Sequence, residues 1–279
     1  FNILKYFLKK KFIVYSLSKN KPQTKRNIKN INYLYGDISN YKNILFLKKI
    51  DFSYVINCGG YVNHKDRNEI KKNHYIGCKN LYKVFEYQQI NKFIQIGSSL
   101  EYGKIESPQK ETSQAKVNGY YGQYKLAASK YLMSKKNFPF VILRLYQLYG
   151  PYQDSNRFIP FIINSSLYDK KFPCSESTQF RDFLFIDDLM LAIFKCLKNN
   201  NLKRKIINIG YGRPIQLKKV INFIINKIKK GKPKYGLIAM RPEEQKICFP
   251  NINVAKKILK WKPKTSFQTG IDKTIKYYK

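Results

Sequence analysis

Gly97-Ser98-Ser99-Leu100-Glu101-Tyr102-Gly103, followed further on by Tyr121-Gly122-Gln123-Tyr124-Lys125, is the part of the sequence that decides its reading. If the second stretch is helical, Tyr121 and Lys125 stand one above the other, because residues four apart share a helix face. A free phenol keeps its proton until about pH 10. An ammonium beside it favours the phenolate and brings that value down. A serine hydroxyl close by can hydrogen-bond a substrate oxygen. Ser98, Tyr121 and Lys125 together make a proton relay for moving hydride onto or off an oxygen-bearing carbon. With 23 tyrosines and 54 lysines and arginines, a Tyr-x-x-x-Lys pair also arises by chance, so the surrounding sequence carries the weight.

Outward from that stretch, residues 2–10 set Ile3, Leu4, Phe7 and Leu8 against Lys5, Lys9 and Lys10, the pattern of an amphipathic helix. Phe12–Leu17, Tyr33–Tyr35, Asp51–Asn57, Lys92–Ile96 and Phe140–Leu145 read as strands, and 75–88 and 121–135 as helices. Strands alternating with helices predict an α/β fold, a doubly wound parallel sheet covered on both faces. Ligands of such sheets bind outside the carboxyl ends of the strands. Gly59-Gly60, Gly97-Ser98 and Tyr146-Gln147 all fall at predicted ends of that kind. After Gly150-Pro151 the elements shorten and prolines recur at 151, 160, 173, 214, 233, 242, 250 and 263, which predicts a second, smaller lobe.

The chain has 279 residues, 43% of them apolar, enough for a large core. Its formal net charge of +37 stands out. Such a charge suits nucleic acid, an anionic surface or an acidic substrate. The lysines are scattered, however, as in Lys9-Lys10-Lys11, Lys71-Lys72, Lys135-Lys136 and Lys256-Lys257, which favours a solvated surface over a dedicated polyanion groove. The same charge would steer a phosphorylated substrate. Five cysteines, at 58, 78, 174, 196 and 248, contain no Cys-x-x-Cys pair and are odd in number, so a reduced, cytoplasmic setting is expected. His64 and His74 are the only histidines, and no metal-ligand spacing is present. No apolar run reaches membrane-spanning length, and no signal-peptide plan or initiating Met opens the chain.

Many short pieces, in order, resemble the extended short-chain dehydrogenase/reductase family, also called the NAD-dependent epimerase/dehydratase family. They are Gly36-Asp37-Ile38, Asn80-Leu81, Ser98-Ser99-x-x-Tyr102-Gly103, Tyr121-x-x-x-Lys125 and Arg144-x-Tyr146-x-x-Tyr149-Gly150-Pro151. They continue with Arg181-Asp182-Phe183-x-x-x-Asp187-Asp188, Asn208-Ile209-Gly210, Arg241-Pro242-x-Glu244 and Trp261-Lys262-Pro263. The resemblance covers nearly the whole chain. It implies a Rossmann-type NAD(P)-binding domain at 1–150 and a nucleotide-sugar substrate lobe at 151–279, with room for segments of the latter to return to the former.

By the same resemblance, Tyr121 is the acid/base at a sugar hydroxyl or ketone. Lys125 lowers its pKa and bonds the nicotinamide ribose, and Ser98 bonds the same sugar oxygen as Tyr121. Asp37, with Ile38 beside it, meets the adenine, and Gly59 and Gly60 let the cofactor approach the backbone. Arg181 and Arg241 hold the substrate diphosphate, a task suited to a guanidinium fork. Glu244 bonds the nucleotide ribose, and Ser99 and Gln147 line the sugar. A homodimer through helices 75–88 and 121–135 is also implied.

Three departures shape the expectation. The family's Gly-x-x-Gly-x-x-Gly loop and the strand before it are absent, so the chain is expected to begin just after them and, as given, to bind cofactor poorly. Ser18-Lys19-Asn20-Lys21 occupies the place where an acidic residue grips the ribose of NAD, which tilts the choice between NAD and NADP toward NADP. Ser98-Ser99-Leu100 replaces the Thr-Asp-Glu of the dehydratases, and Leu100 cannot protonate a leaving hydroxyl, which argues against 4,6-dehydration. Glu101 is expected to aim away, and Gln147 replaces an epimerase Asn. The expected function is an NAD(P)-dependent nucleotide-sugar 4-epimerase or 4-keto reductase. The alternatives are a basic nucleic-acid-binding protein and a non-catalytic sugar-nucleotide binder on the same scaffold.

Overall fold

The computed structural model describes residues 1–61, 63, 66–240 and 244–279. They divide into two compact units. The first comprises Phe1–Glu101, Gly119–Leu143 and Ile193–Ile206; the second comprises Tyr102–Asn118, Arg144–Ala192 and Ile207–Lys279.

The first unit opens with α1 (Asn2–Lys9), which turns Phe7 inward. β1 (Tyr15–Ser18) runs parallel to β2 (Asn32–Tyr35), with Ser18 opposite Tyr35. A 3-10 stretch, Tyr41–Lys49, buries Ile44 and Leu47 and is capped by Asn40, whose side chain accepts the Lys42 N–H. β3 (Tyr54–Asn57) leads to a long helical segment in three parts: α2 (Arg67–Ile70), a π-helical turn (Lys71–Ile76) and α3 (Gly77–Phe85). Asp66 caps it by accepting the Glu69 N–H at 3.0 Å, which fixes where the helix starts.

β4 (Lys92–Ser98) runs parallel to β3, with Asn57 opposite Gln95. α4 (Tyr120–Met133) and β5 (Phe140–Leu145) follow. β4 and β5 are buried almost throughout, as strands covered on both faces require. The core joins Ile44, Leu47, Cys78, Leu81, Val84, Phe85, Phe93, Ala128, Leu132, Phe140 and Ile142. Lys92 is buried among these strands because its ammonium donates to the carbonyls of Asn199 and Leu202.

Beyond β5 the chain forms β6 (Gln147–Tyr149), α5 (Phe158–Leu167), β7 (Lys171–Pro173), β8 (Phe180–Phe185), α6 (Ile186–Lys198) and β9 (Lys205–Ile209). It ends with β10 (Pro214–Gln216), α7 (Leu217–Ile228), β11 (Lys232–Lys234), β12 (Ile247–Cys248), α8 (Asn253–Leu259) and α9 (Phe267–Tyr278). Hydrogen bonding links β3, β4, β5 and β9 in that order, while β1 and β2 form a separate parallel pair.

The second unit is organised around β8. Parallel β6 and β12 and antiparallel β10 all pair with it. Its core gathers Tyr149, Ile159, Ile163, Phe183, Phe185, Ile221, Ile224 and Ile271. Trp261 is buried, its Nε1 donating to the Asp188 carbonyl at 3.0 Å, while the Asp188 carboxylate accepts the N–H groups of Lys264 and Thr265. Among the described residues no helix is long and apolar enough to cross a membrane.

Candidate active site

Three strand ends of the first unit carry polar groups. After β2, Asp37 accepts the Ser39 N–H at 2.8 Å and pairs with the Lys19 ammonium at 3.1 Å. Burial alone would raise the Asp37 pKa, but the Ser39 hydrogen bonds and Lys19 outweigh it and hold the carboxyl below its ordinary value. Lys19 is exposed, and its hydrogen bond to Asp37 raises its own pKa. Beside it, the Ser18 hydroxyl donates to the Asn20 carbonyl. Ile38 is fixed on the other side by Asn80, which donates to the Ile38 carbonyl at 2.8 Å.

After β3, Asn57 shapes the glycine turn: its Oδ1 accepts the Gly59 N–H at 2.9 Å and its Nδ2 donates to Gln95. Both glycines are tightly placed. A Cβ on Gly59 would meet Ile38 Cδ1 at 2.4 Å, and one on Gly60 would meet His74 Cε1 at 2.5 Å. His74 is buried in the π-helical turn, and its Nε2 lies against the Tyr61 N–H and carbonyl.

After β4, Ser98 closes the strand and Ser99–Glu101 form a single 3-10 turn. Ser98 Oγ accepts the Leu100 N–H at 3.2 Å. That bond uses a lone pair and leaves the hydroxyl proton to donate. Ser99 is half-buried at the start of the turn. The turn rotates Glu101 inward until it is 0% exposed.

α4 begins after Gly119, whose φ of 88° is a left-handed conformation that suits glycine. The helix packs on β4 and on the 99–101 turn. Tyr121 and Lys125 share one face of it, as their spacing predicts. Lys125 is 5% exposed. Its Nζ donates to the Ile96 carbonyl in β4 at 2.8 Å and lies 6.0 Å from the centre of the Tyr121 ring. Burial lowers its pKa, opposed first by the negative charge of Glu101. The Tyr121 ring meets His74 edge to face, with centroids 4.9 Å apart. Lys125 is thus tied to β4 two residues before Ser98, with the Tyr121 ring beside its ammonium.

The second unit holds the remaining candidates. Arg181, 8% exposed on β8, donates from Nη1 to the Phe180 carbonyl at 2.9 Å. Its Nη2 pairs with Glu244 at 3.3 Å, so the two residues expected to grip a diphosphate and a ribose hold each other. Arg241 lies outside the described residues. Gln147 opens β6 and is exposed. Asp182 is buried beside Arg181 and accepts the N–H groups of Tyr211, Gly212 and Arg213 at 2.7, 2.6 and 3.2 Å. Burial pushes its carboxyl up to about 7 despite those bonds.

Sequence reading missed two residues of the first unit. Glu101 was legible, because Ser98-x-x-Glu101 is a helix-capping pattern. His74 was not, because a π-helical turn has no local sequence signature strong enough to place one side chain.

A family model described as the NAD dependent epimerase/dehydratase family matches residues 1–210. The chain belongs to the NAD dependent epimerase/dehydratase family. Its relatives in this family include CDP-abequose synthase of Salmonella muenchen, 30% identical over 138 residues, which are 49% of this chain and 47% of that protein. UDP-glucuronate 4-epimerase of Thermodesulfobacterium geofontis is 32% identical over 147 residues, 50% of this chain and 42% of that protein. The chain spans about half the length of these curated relatives. Among solved structures, UDP-glucose 4-epimerase of Thermotoga maritima with UDP-glucose superposes at a TM-score of 0.92, with 18% identity, over 99% of this chain and 94% of that one. That likeness shows the Rossmann-type fold common to the family.

Proposed function

We propose that this family member is an NAD(P)-dependent oxidoreductase of nucleoside-diphosphate sugars, acting as a 4-keto reductase or 4-epimerase. The observation that carries the reading is the helix face of Tyr121 and Lys125, seated by the Lys125–Ile96 hydrogen bond at the strand end that carries Ser98. Relatives named for CDP-, UDP- and dTDP-sugar chemistry support the substrate class. The nucleic-acid alternative gains nothing from those relatives.

The donor set of the first unit fits a nicotinamide dinucleotide. Lys125 offers an ammonium, Asp37 a carboxylate held ionised, and Gly59-Gly60 a turn without side chains, all near parallel strand ends. A bound nicotinamide would supply or receive the hydride. Lys125 would bond its ribose, and Asp37 its adenine. With its Oγ lone pair engaged by Leu100, Ser98 donates its proton to the sugar oxygen and orients it. Tyr121 gives a proton to that oxygen in reduction and takes one in oxidation. The buried ammonium of Lys125 stabilises the phenolate that remains. Arg181 would hold the diphosphate, releasing Glu244 to the nucleotide ribose. Lys19 would favour the extra phosphate of NADP.

The test is a screen of CDP-, dTDP-, UDP- and GDP-hexoses and their 4-keto derivatives, following nicotinamide absorbance and product stereochemistry. Consumption of added NADPH marks a reductase. Retained NAD with inversion at C4 marks an epimerase. No turnover in any arm, in protein shown by calorimetry to bind the nicotinamide dinucleotide, overturns the reading.

A further inference from the structure

The turn that carries Ser98 is built like the start of a helix. Ser98 Oγ accepts the Leu100 N–H, and Glu101 Oε1 reaches back to accept the Ser98 N–H at 2.9 Å. This is the reciprocal pairing of a Ser-x-x-Glu capping box. A capping glutamate needs no second partner, since its carboxylate normally faces water. Glu101 is 0% exposed, and its other oxygen accepts the Ser129 hydroxyl at 2.7 Å.

Ser129 is itself 1% exposed and lies on α4, one turn beyond Lys125 and two beyond Tyr121. The three residues form one stripe along the helix. One end of the carboxylate therefore grips the backbone of the strand end, and the other grips the helix. A charge taken out of water is costly unless every lone pair finds a donor or a counter-charge. Glu101 has both, because its charge is the first of those opposing the loss of the Lys125 proton.

We propose that Glu101 is a positioning residue, a buried strap that ties the strand end bearing Ser98 to the helix bearing Tyr121 and Lys125. It fixes where the two hydroxyls converge on the substrate oxygen. The inference rests on the reading of Ser98, Tyr121 and Lys125 as the proton relay. Glu101→Gln keeps an acceptor for the Ser98 N–H and offers a donor to Ser129, so it preserves the strap without its charge. Glu101→Ala cuts both ends, and Ser129→Ala cuts only the helix end.

The experiment labels the whole chain with 15N, and with 13C at tyrosine Cζ, the Tyr121 signal being the one lost in Tyr121→Phe. The Glu101→Ala variant should speed exchange of the Ser98 amide by about tenfold and shift the Tyr121 signal, while Glu101→Gln leaves both near wild type. On a hexose nucleotide that the wild type turns over, kcat should fall about tenfold in the Ala variant with KM within about twofold, and Gln should restore it. An unchanged Ser98 amide, an unmoved Tyr121 signal, or a Gln variant as damaged as Ala overturns the strap. If Glu101→Ala does not fold, Ser129→Ala decides: it should move the Tyr121 signal alone, and no movement overturns the proposal. If Tyr121→Phe keeps full turnover, the functional reading fails while amide exchange and the tyrosine signal still judge the strap.

Discussion

Each unit buries a carboxylate beside its candidate site residues, and the two, Glu101 and Asp182, are held differently. Glu101 in the first unit is shared between a backbone N–H and a side-chain hydroxyl, with the Lys125 ammonium near enough to feel its charge. Asp182 in the second unit is held by three successive backbone N–H groups, and burial drives its pKa up to about 7. Both residues are 0% exposed, so burial alone does not distinguish them. The partners do. A carboxylate shared between a strand end and a helix side chain aligns those two elements, whereas one gripping three successive backbone N–H groups clamps a single loop.

The comparison breaks most visibly at Tyr121. Tyr121→Phe removes the proposed proton carrier and changes no residue of the second unit. Turnover should fall about a thousandfold, while binding of UDP or CDP, measured by calorimetry, stays within about twofold. A variant that keeps a tenth of its activity would remove the phenol from the chemistry.

The next effect is on stability. Asp182 holds its proton more tightly folded than unfolded, because its folded pKa is raised from 3.8 to about 7. Its contribution is therefore full below about pH 4 and is lost as pH rises through about 7. Between those values the wild type should lose on the order of 3 kcal/mol relative to Asp182→Asn, read from urea midpoints. A difference between the two proteins that stays constant with pH would make Asp182 an ordinary ionised clamp.

Arg181→Lys keeps the charge beside Glu244 but loses the fork. Nucleoside-diphosphate affinity should drop about tenfold with turnover of bound substrate little changed. Equal affinity would leave Arg181 as a partner of Glu244 only. The smallest effect belongs to Lys19, exposed and paired with Asp37. Lys19→Ala should weaken NADP relative to NAD by about threefold in competition binding, and a shift toward NADP would reverse its assignment.

Much of the first unit was legible residue by residue. The Tyr121–Lys125 spacing implied one helix face, and α4 provides it. Lys92–Ile96 and Phe140–Leu145 read as strands, and the structure buries both almost throughout, as strands covered on both faces require. Glu101 was expected to aim away by alternation along an extended turn; the chain instead coils into a 3-10 turn there and carries it inside. The contact of His74 with Tyr121 was also hidden, since it joins a π-helical turn to a helix nearly fifty residues away.

What the sequence determined by itself is the alternation of strands and helices as far as Leu145, the family and the chemical types of the candidate site residues. The elements follow from periodicity, which acts between near neighbours, and the family from the resemblance carried by many short motifs in order. Only the tertiary structure decided which groups are already engaged: Arg181 with Glu244, Lys19 with Asp37, and Glu101 with Ser98 and Ser129. Partners of that kind are chosen by burial, because a polar group removed from water takes whichever donor or acceptor the packed chain brings within reach.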